Sequence, residues 1–200
     1  MSERPGGAII ELSFLFVDVR GSTSLAEGMD PARFAQLMNA FYATATRALI
    51  RSGAFIDKFV GDEVMVVYLP VFCGENHAKA AIEGARELLL ATSSAGQQSL
   101  PVGIGVNSGT CYFGTVAGTD GTLADFTALG DPVNVAARLA GAAAAGEALI
   151  SEATRAASGM DIPGCERRSL ALKGKSEPTE VHCMRADDAP LLARSAVAPR

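Results

Sequence analysis

Two acids stand out by their position in the chain. Asp18 ends the apolar run Ile9–Val17, and Asp62 lies in the Gly61-Asp62 turn between two strand-like runs. If those strands are neighbours, both acids reach one edge of a sheet. Paired carboxylates there can hold a divalent cation together with phosphate oxygens. The stretch Val19–Thr23 would add free backbone amides, because a helix start favours anions. Asp is also a common turn and cap residue, so either acid taken singly fits an ordinary structural role.

Two further groups could act on a nucleotide. Asn134 and Arg138, four residues apart, share one face of a helix. An amide beside a guanidinium suits a sugar oxygen and a phosphate, although a solvated helix face would look the same. The segment Leu172-Lys173-Gly174-Lys175 reads as a basic hairpin, or simply as an exposed charged turn. Zinc ligation is disfavoured: His77 and His182 are the only histidines, neither has a close cysteine pair, and His182 beside Cys183 makes two neighbours, not a site. Cys73, Cys111, Cys165 and Cys183 are scattered, with no CxxC spacing, and read as reduced thiols.

Hydrophobic periodicity gives the elements that must position these groups. Ile9–Val17 reads as a buried strand. Asp30-Pro31 opens a helix with Phe34, Leu37, Met38, Phe41, Ala45, Ala48 and Leu49 inward, stopped by Gly53. Ala54–Val60 and Glu63–Leu69 read as a hairpin with a type II′ turn at Gly61-Asp62. A second amphipathic helix is expected from about Glu75 to Thr92, then a polar loop over Ser93–Ser99. Pro101–Gly109 and Thr110–Val116 read as two more strands, a second hairpin, and Gly118–Leu123 as a polar excursion. Asp131-Pro132 repeats the cap signal for a helix through Leu139 that ends in Gly141–Gly146. Ala148–Ser151 reads as a strand, Glu152–Ala157 as a helical turn, and Cys165–Leu172 and Glu177–Met184 as strands. This β-α-β-β-α-β order predicts an α+β fold, with helices packed on a mostly antiparallel sheet.

Composition bounds the rest. Two hundred residues, 48% of them hydrophobic, suffice for one well-cored domain. A formal net charge of −5 advertises no nucleic-acid surface. No apolar run approaches the roughly 18 residues of a membrane span. The opening MSERPGG does not read as a signal peptide, so a cytoplasmic location is expected. The catalytic unit is expected over residues 9–185, with an extension over 1–8 and a mobile tail over 186–200.

FLFVDVRGSTSLAE, DKFVGDEVMVVY, DFTALGDPVNVAARL and LKGKSEPTEVH, in that order, resemble the class III adenylate/guanylate cyclase catalytic domain across roughly Leu12–Met184. The resemblance implies a ferredoxin-like βαββαβ core and assigns roles by position. Asp18 and Asp62 would bind two divalent cations, Mg2+ or Mn2+, with the Val19 carbonyl as an extra ligand. Gly21, Ser22 and Thr23 would contact substrate. Lys58 would read the base, with Thr127 as its partner. Asn134 would orient the ribose, Arg138 would stabilise the transition state at the α-phosphate, and Lys173 would hold the terminal phosphates. It also implies a head-to-tail homodimer, with metals from one subunit and the remaining groups from the other.

The base favoured by these positions is adenine, hence ATP as substrate. Lys donates only, which suits the unprotonated adenine N1 and not the N1–H of guanine. The Thr127 hydroxyl can accept from the adenine amino group, but it can also rotate to donate. A guanylate or dual-specificity cyclase is therefore the rival within enzymes, and a silent nucleotide-binding regulatory module the rival outside them. No GG[DE]EF loop is present for a diguanylate-type synthase. The pairing of Lys with Thr resembles a bacterial subgroup of adenylyl cyclases that responds to bicarbonate.

Overall fold

The apolar run ahead of Asp18 forms the strand around which the other elements assemble. In the computed structural model, which describes residues 6–94, 100–117, 123–186 and 188, β1 spans Gly7–Val19. Its side chains alternate between the two sheet faces. Leu15, Val17 and Val19 join one core, and Leu12, Phe14 and Phe16 join another. Burial on both faces requires apolar residues at successive positions, which is why this run does not alternate with polar ones.

The chain continues through α1 (Ser22–Gly28), α2 (Pro31–Ile50), β2 (Phe55–Val60), β3 (Glu63–Tyr68), α3 (Pro70–Cys73), α4 (His77–Ser94) and β4 (Val102–Ala117). Then follow β5 (Leu123–Leu129), α5 (Asp131–Ala142), β6 (Glu147–Ser151), α6 (Glu152–Ser158), β7 (Glu166–Leu170) and β8 (Thr179–Arg185). The sheet runs β2-β3-β1-β4-β6-β8-β7, with β5 paired to β4 off this path. Among the described residues only β4 and β6 pair in parallel. The expected α+β architecture is therefore present, with β2-β3-β1-β4 as its βαββαβ core. Met38, Phe41 and Leu49 of α2 and Ile82, Leu88 and Leu89 of α4 cover one face. On the other, α5 seats Ala136 and Ala140 against Leu12, Phe14 and Phe16, and Val135 and Leu139 against Leu149 and Val181.

Local signals set the boundaries. Asp30 caps α2, its carboxylate accepting from the amides of Ala32 and Arg33 at 3.0 and 3.3 Å. Gly61 has φ 61°, and no described non-glycine residue has positive φ, so the two-residue β2–β3 turn is of the II′ kind, not I′.

The structure corrects four expectations. The two strands expected over Pro101–Gly109 and Thr110–Val116 are one 16-residue strand. Gly109 makes no turn; a Cβ there would lie 2.8 Å from the Pro132 ring, so its smallness admits the first turn of α5. A hairpin does exist, but it joins β4 to the unexpected strand β5, which its pairing to β4 stabilises. Asp131 does not cap α5: the N-cap is Gly130, and the Asp131 carboxylate pairs with Lys175 at 2.7 Å. The short helix α3 was also unexpected. Of the polar loop expected at Ser93–Ser99, residues 93 and 94 close α4 and 95–99 lie outside the described residues. Residues 118–122 of the polar excursion and nearly all of the tail also lie outside them.

Candidate active site

Asp18 and Asp62 meet at one end of β1. Asp18 pairs in register with Glu63 on β3 and with Gly103 on β4, and the Val19 amide donates to the Asp62 carbonyl at 3.3 Å. Burial pushes the Asp18 carboxyl above the usual carboxylate range; Arg20, 3.6 Å away, pulls it back, and Asp62 pushes it further up. Glu63 is likewise raised, by burial first and then by Asp18 and Asp62. The Ser22 hydroxyl donates to the Asp62 carboxylate. Tyr42 fixes the turn beside it, donating its hydroxyl to the Gly61 carbonyl and packing its ring 4.6 Å from Phe59.

This excess of negative charge suits a cation. Among the described residues no cluster of three or more His, Cys, Asp or Glu side chains could hold a metal. Two aspartates with the Val19 carbonyl would leave most positions to water and phosphate oxygens, which matches the reluctance of Mg2+ to give up its waters. The Val19 side chain is buried in the core, so only its backbone is on offer. The expected amide donors narrow, because Val19 N and Arg20 N already bond to Asp62 O and Pro101 O. Gly21, Ser22 and Thr23, at the start of α1, are what remain.

Between α1, α2 and the β2–β3 turn lies a cleft of about 570 Å³, lined among others by Ser22, Thr23, Asn39, Tyr42, Gly61 and Asp62. No Lys or Arg is among its described lining residues, nor are Lys58, Thr127, Asn134, Arg138 or Lys173.

A second group forms where β2 meets β5. Lys58 forms ion pairs with Asp125 and, at 3.4 Å, with Asp57. The hydrogen bond that Lys58 donates to Asp125 leads the causes that raise the Lys58 ammonium above its usual range. Thr127 donates its hydroxyl to the same Asp57 carboxylate at 2.9 Å. Residues 58 and 127 are thus brought together. Phe59 and Val60 on β2, and Phe126 and Leu129 on β5, flank them as exposed large apolar residues.

A third group lies on the outer face of α5. Asn134 is exposed, while Val135, Ala136, Leu139 and Ala140 are buried. A Cβ on Gly174 would lie 3.5 Å from the Arg138 guanidinium, which places Arg138 over the 173–174 turn. Lys173 is exposed, whereas Lys175 is tied to Asp131. The acids lie near the opposite end of this helix, where Arg20 donates to the carbonyls of Ala140 and Gly141. No hydrogen bond or ion pair among the described residues joins the acids to Asn134, Arg138 or Lys173.

Sequence reasoning missed Asp57, Asp125, Arg20 and Tyr42. Asp57 and Asp125 were within sight, one residue before Lys58 and two before Thr127. Their role depends on β5 folding towards β2, which periodicity does not reveal.

A βαββαβ core that presents two aspartates at a strand end, and an Asn/Arg face on a separate helix, defines the catalytic domain of a nucleotide cyclase. A family model for the adenylate and guanylate cyclase catalytic domain matches residues 8–185, and the chain belongs to that family. It is 33% identical over 141 residues to an adenylate cyclase of Anabaena cylindrica, a match covering 65% of this chain and 27% of the relative. The crystal structure of the adenylyl cyclase CyaB from P. aeruginosa superposes with a TM-score of 0.75 at 32% identity, covering 89% of this chain and 95% of that one. A guanylyl cyclase crystal structure gives a TM-score of 0.81 at 25% identity, covering 89% and 93%. The chain spans 27% or less of the length of the curated relatives it matches. Among the described residues no helix is long and apolar enough to cross a membrane.

Proposed function

We propose that the domain is an adenylyl cyclase, converting ATP to 3′,5′-cyclic AMP and pyrophosphate at sites shared between two copies of the chain. The observation that carries the choice of base is the meeting of Lys58 and Thr127 over one carboxylate, 69 positions apart in sequence. The Lys58 ammonium donates to adenine N1, and the Thr127 hydroxyl accepts from the 6-amino group. Guanine would meet a donor with its N1–H. A mispaired polar group costs about 1–3 kcal/mol, a preference of about tenfold to a hundredfold.

The ribose 3′-oxygen attacks the α-phosphorus, the bond to the pyrophosphate oxygen breaks, and the 3′-hydroxyl proton passes to water, to Asp18 or to a phosphate oxygen of the substrate. Asn134 holds the ribose so that the attack is in line; orientation of this kind is worth up to about 7–11 kcal/mol. Arg138 offsets the charge that grows on the α-phosphoryl oxygens, and Lys173 that on the departing pyrophosphate. Asp18, Asp62 and the Val19 carbonyl would hold two divalent cations, which supply Lewis-acid polarisation of the phosphates and of the 3′-hydroxyl. Neither histidine is placed as a base: His77 is bonded to Ser13 and His182 to Glu152.

The head-to-tail homodimer is supported by the separation of the acids from Asn134 and Arg138 within one chain. The exposed Phe59, Val60, Phe126 and Leu129 supply apolar surface for a second copy. The deciding experiment incubates the purified protein with ATP or GTP, in Mg2+ or Mn2+, at several protein concentrations. The reading expects cyclic AMP and pyrophosphate, a higher kcat/KM for ATP, and a rate that rises faster than linearly with protein. Absence of both products, or a preference for GTP, would overturn it.

A further inference from the structure

One buried side chain joins Lys58 to Thr127. Asp57 occupies the irregular position of β2, where the register to β3 shifts between Ile56 and Lys58. A bulge of this kind re-aims a side chain. Here the Asp57 side chain is only 1% exposed. Its Oδ2 takes the Thr127 hydroxyl at 2.9 Å and lies 3.4 Å from Lys58 Nζ, while its Oδ1 is buried with no hydrogen-bond partner among the described residues. A buried carboxylate satisfied on one oxygen opposes folding. Its polar contacts are to the two side chains that face the base.

We propose that Asp57 is a specificity-determining positioning residue: by taking the Thr127 hydroxyl proton it leaves that oxygen only lone pairs to offer a base, which selects adenine over guanine. The inference rests on the reading of Lys58 and Thr127 as the base-recognition pair. A threonine hydroxyl has one hydrogen, and an ionised carboxylate can only accept. Thr127 is 7% exposed, so water offers its proton little alternative to Asp57. With that proton committed, Thr127 Oγ1 welcomes the adenine 6-amino group and opposes guanine O6. Asp57 Oδ2 also lies near Lys58 Nζ, but Lys58 keeps its pairing with Asp125 without it, so the selectivity passes through Thr127.

The test is the ratio of kcat/KM for ATP to that for GTP, each measured on one preparation. That ratio is indifferent to the fraction of protein folded, so loss of folded protein alone would not move it. In Asp57→Asn the new amide can donate to Thr127 Oγ1 and turn the hydroxyl outward; in Asp57→Ala the hydroxyl is free to rotate. Both variants are expected to lower the ATP:GTP ratio by about tenfold. Thr127→Val should lower it as well, and adding Asp57→Asn to Thr127→Val should lower it no further. If Thr127→Val shifts the ratio while both Asp57 variants leave it unchanged, the role of Asp57 is refuted and the base pair stands. If the two substitutions multiply their effects, Asp57 does not act through Thr127 and the proposal falls. If neither Thr127→Val nor Lys58→Ala moves the ratio, the base-recognition reading itself fails and takes the proposal with it. Should one Asp57 variant fail to fold, the other still decides.

Discussion

Replacing Gly105 by Ala would test how closely the helix carrying Asn134 and Arg138 is seated on the sheet. A Cβ at 105 would lie 2.2 Å from both the Ala136 carbonyl oxygen and the Ala140 amide nitrogen of α5. Ordinary contact begins at 3.4 Å, so helix and strand must part by about 1.2 Å. These are backbone atoms and cannot rotate away. Overpacking of this sort costs about 1–3 kcal/mol, and each kcal/mol lowers Tm by about 2–4 °C in a chain of this length. The functional effect should exceed the loss of stability, since a misplacement of about 1 Å at reacting groups can cost a hundredfold in rate. Thermal melting and steady-state turnover of Gly105→Ala check both. Gly103→Ala is the contrast: the atoms nearest its Cβ belong to the Arg20 guanidinium, 2.1 Å away, a side-chain end that can shift at smaller cost to stability, though at the expense of its bonds to the Ala140 and Gly141 carbonyls. If Gly105→Ala kept the Tm to within about 1 °C and turned over at the parent rate, the argument that α5 is positioned by contact at this glycine would be wrong.

Other expectations follow from the same geometry. Because burial raises the Asp18 carboxyl, its protonated form favours folding; that contribution is present below the ordinary carboxylate range and fades as pH rises through the raised value. Cation uptake needs the ionised form, so the rise in Tm caused by Mn2+ should grow with pH from the carboxylate range upward, and Asp18→Asn should abolish that growth. Glu147, with a side chain 1% exposed and paired to Arg168 at 3.0 Å and Arg185 at 3.3 Å, should cost about 1.5–3 kcal/mol when replaced by Ala, read by denaturant unfolding. Burial raises all four cysteine thiols, Cys165 to about 11, so iodoacetamide should label the folded protein slowly at neutral pH and rapidly once it is unfolded.

Much of this architecture was legible because the signals are local. The apolar run into Asp18, the cap at Asp30 and the glycine at 61 each act within a few residues, so β1, α2 and the β2–β3 turn fall close to where the sequence places them. The errors arise where a distant partner decides. Gly109 reads as a turn in isolation, yet its smallness serves Pro132, 23 residues later. The segment around Thr127, LADFTAL, is short and lacks clear alternation, and its place as a strand shows only in its pairing with β4. The candidate site divides in the same way. Asp18, Asp62, Asn134 and Arg138 could be singled out by residue type and spacing, whereas Asp57 and Asp125 gain meaning only when β5 meets β2.

On the proposed function, the acids and the Asn/Arg pair serve one reaction from different copies of the chain. Mixing two inactive variants, Asp62→Asn and Arg138→Ala, tests it most directly. Free exchange of subunits in a twofold dimer puts both defects in one site of each mixed dimer and leaves the other site whole, so cyclase activity should return to about a quarter of the parent level. Activity that stays at the level of the separate variants, with subunit exchange verified, would contradict the account.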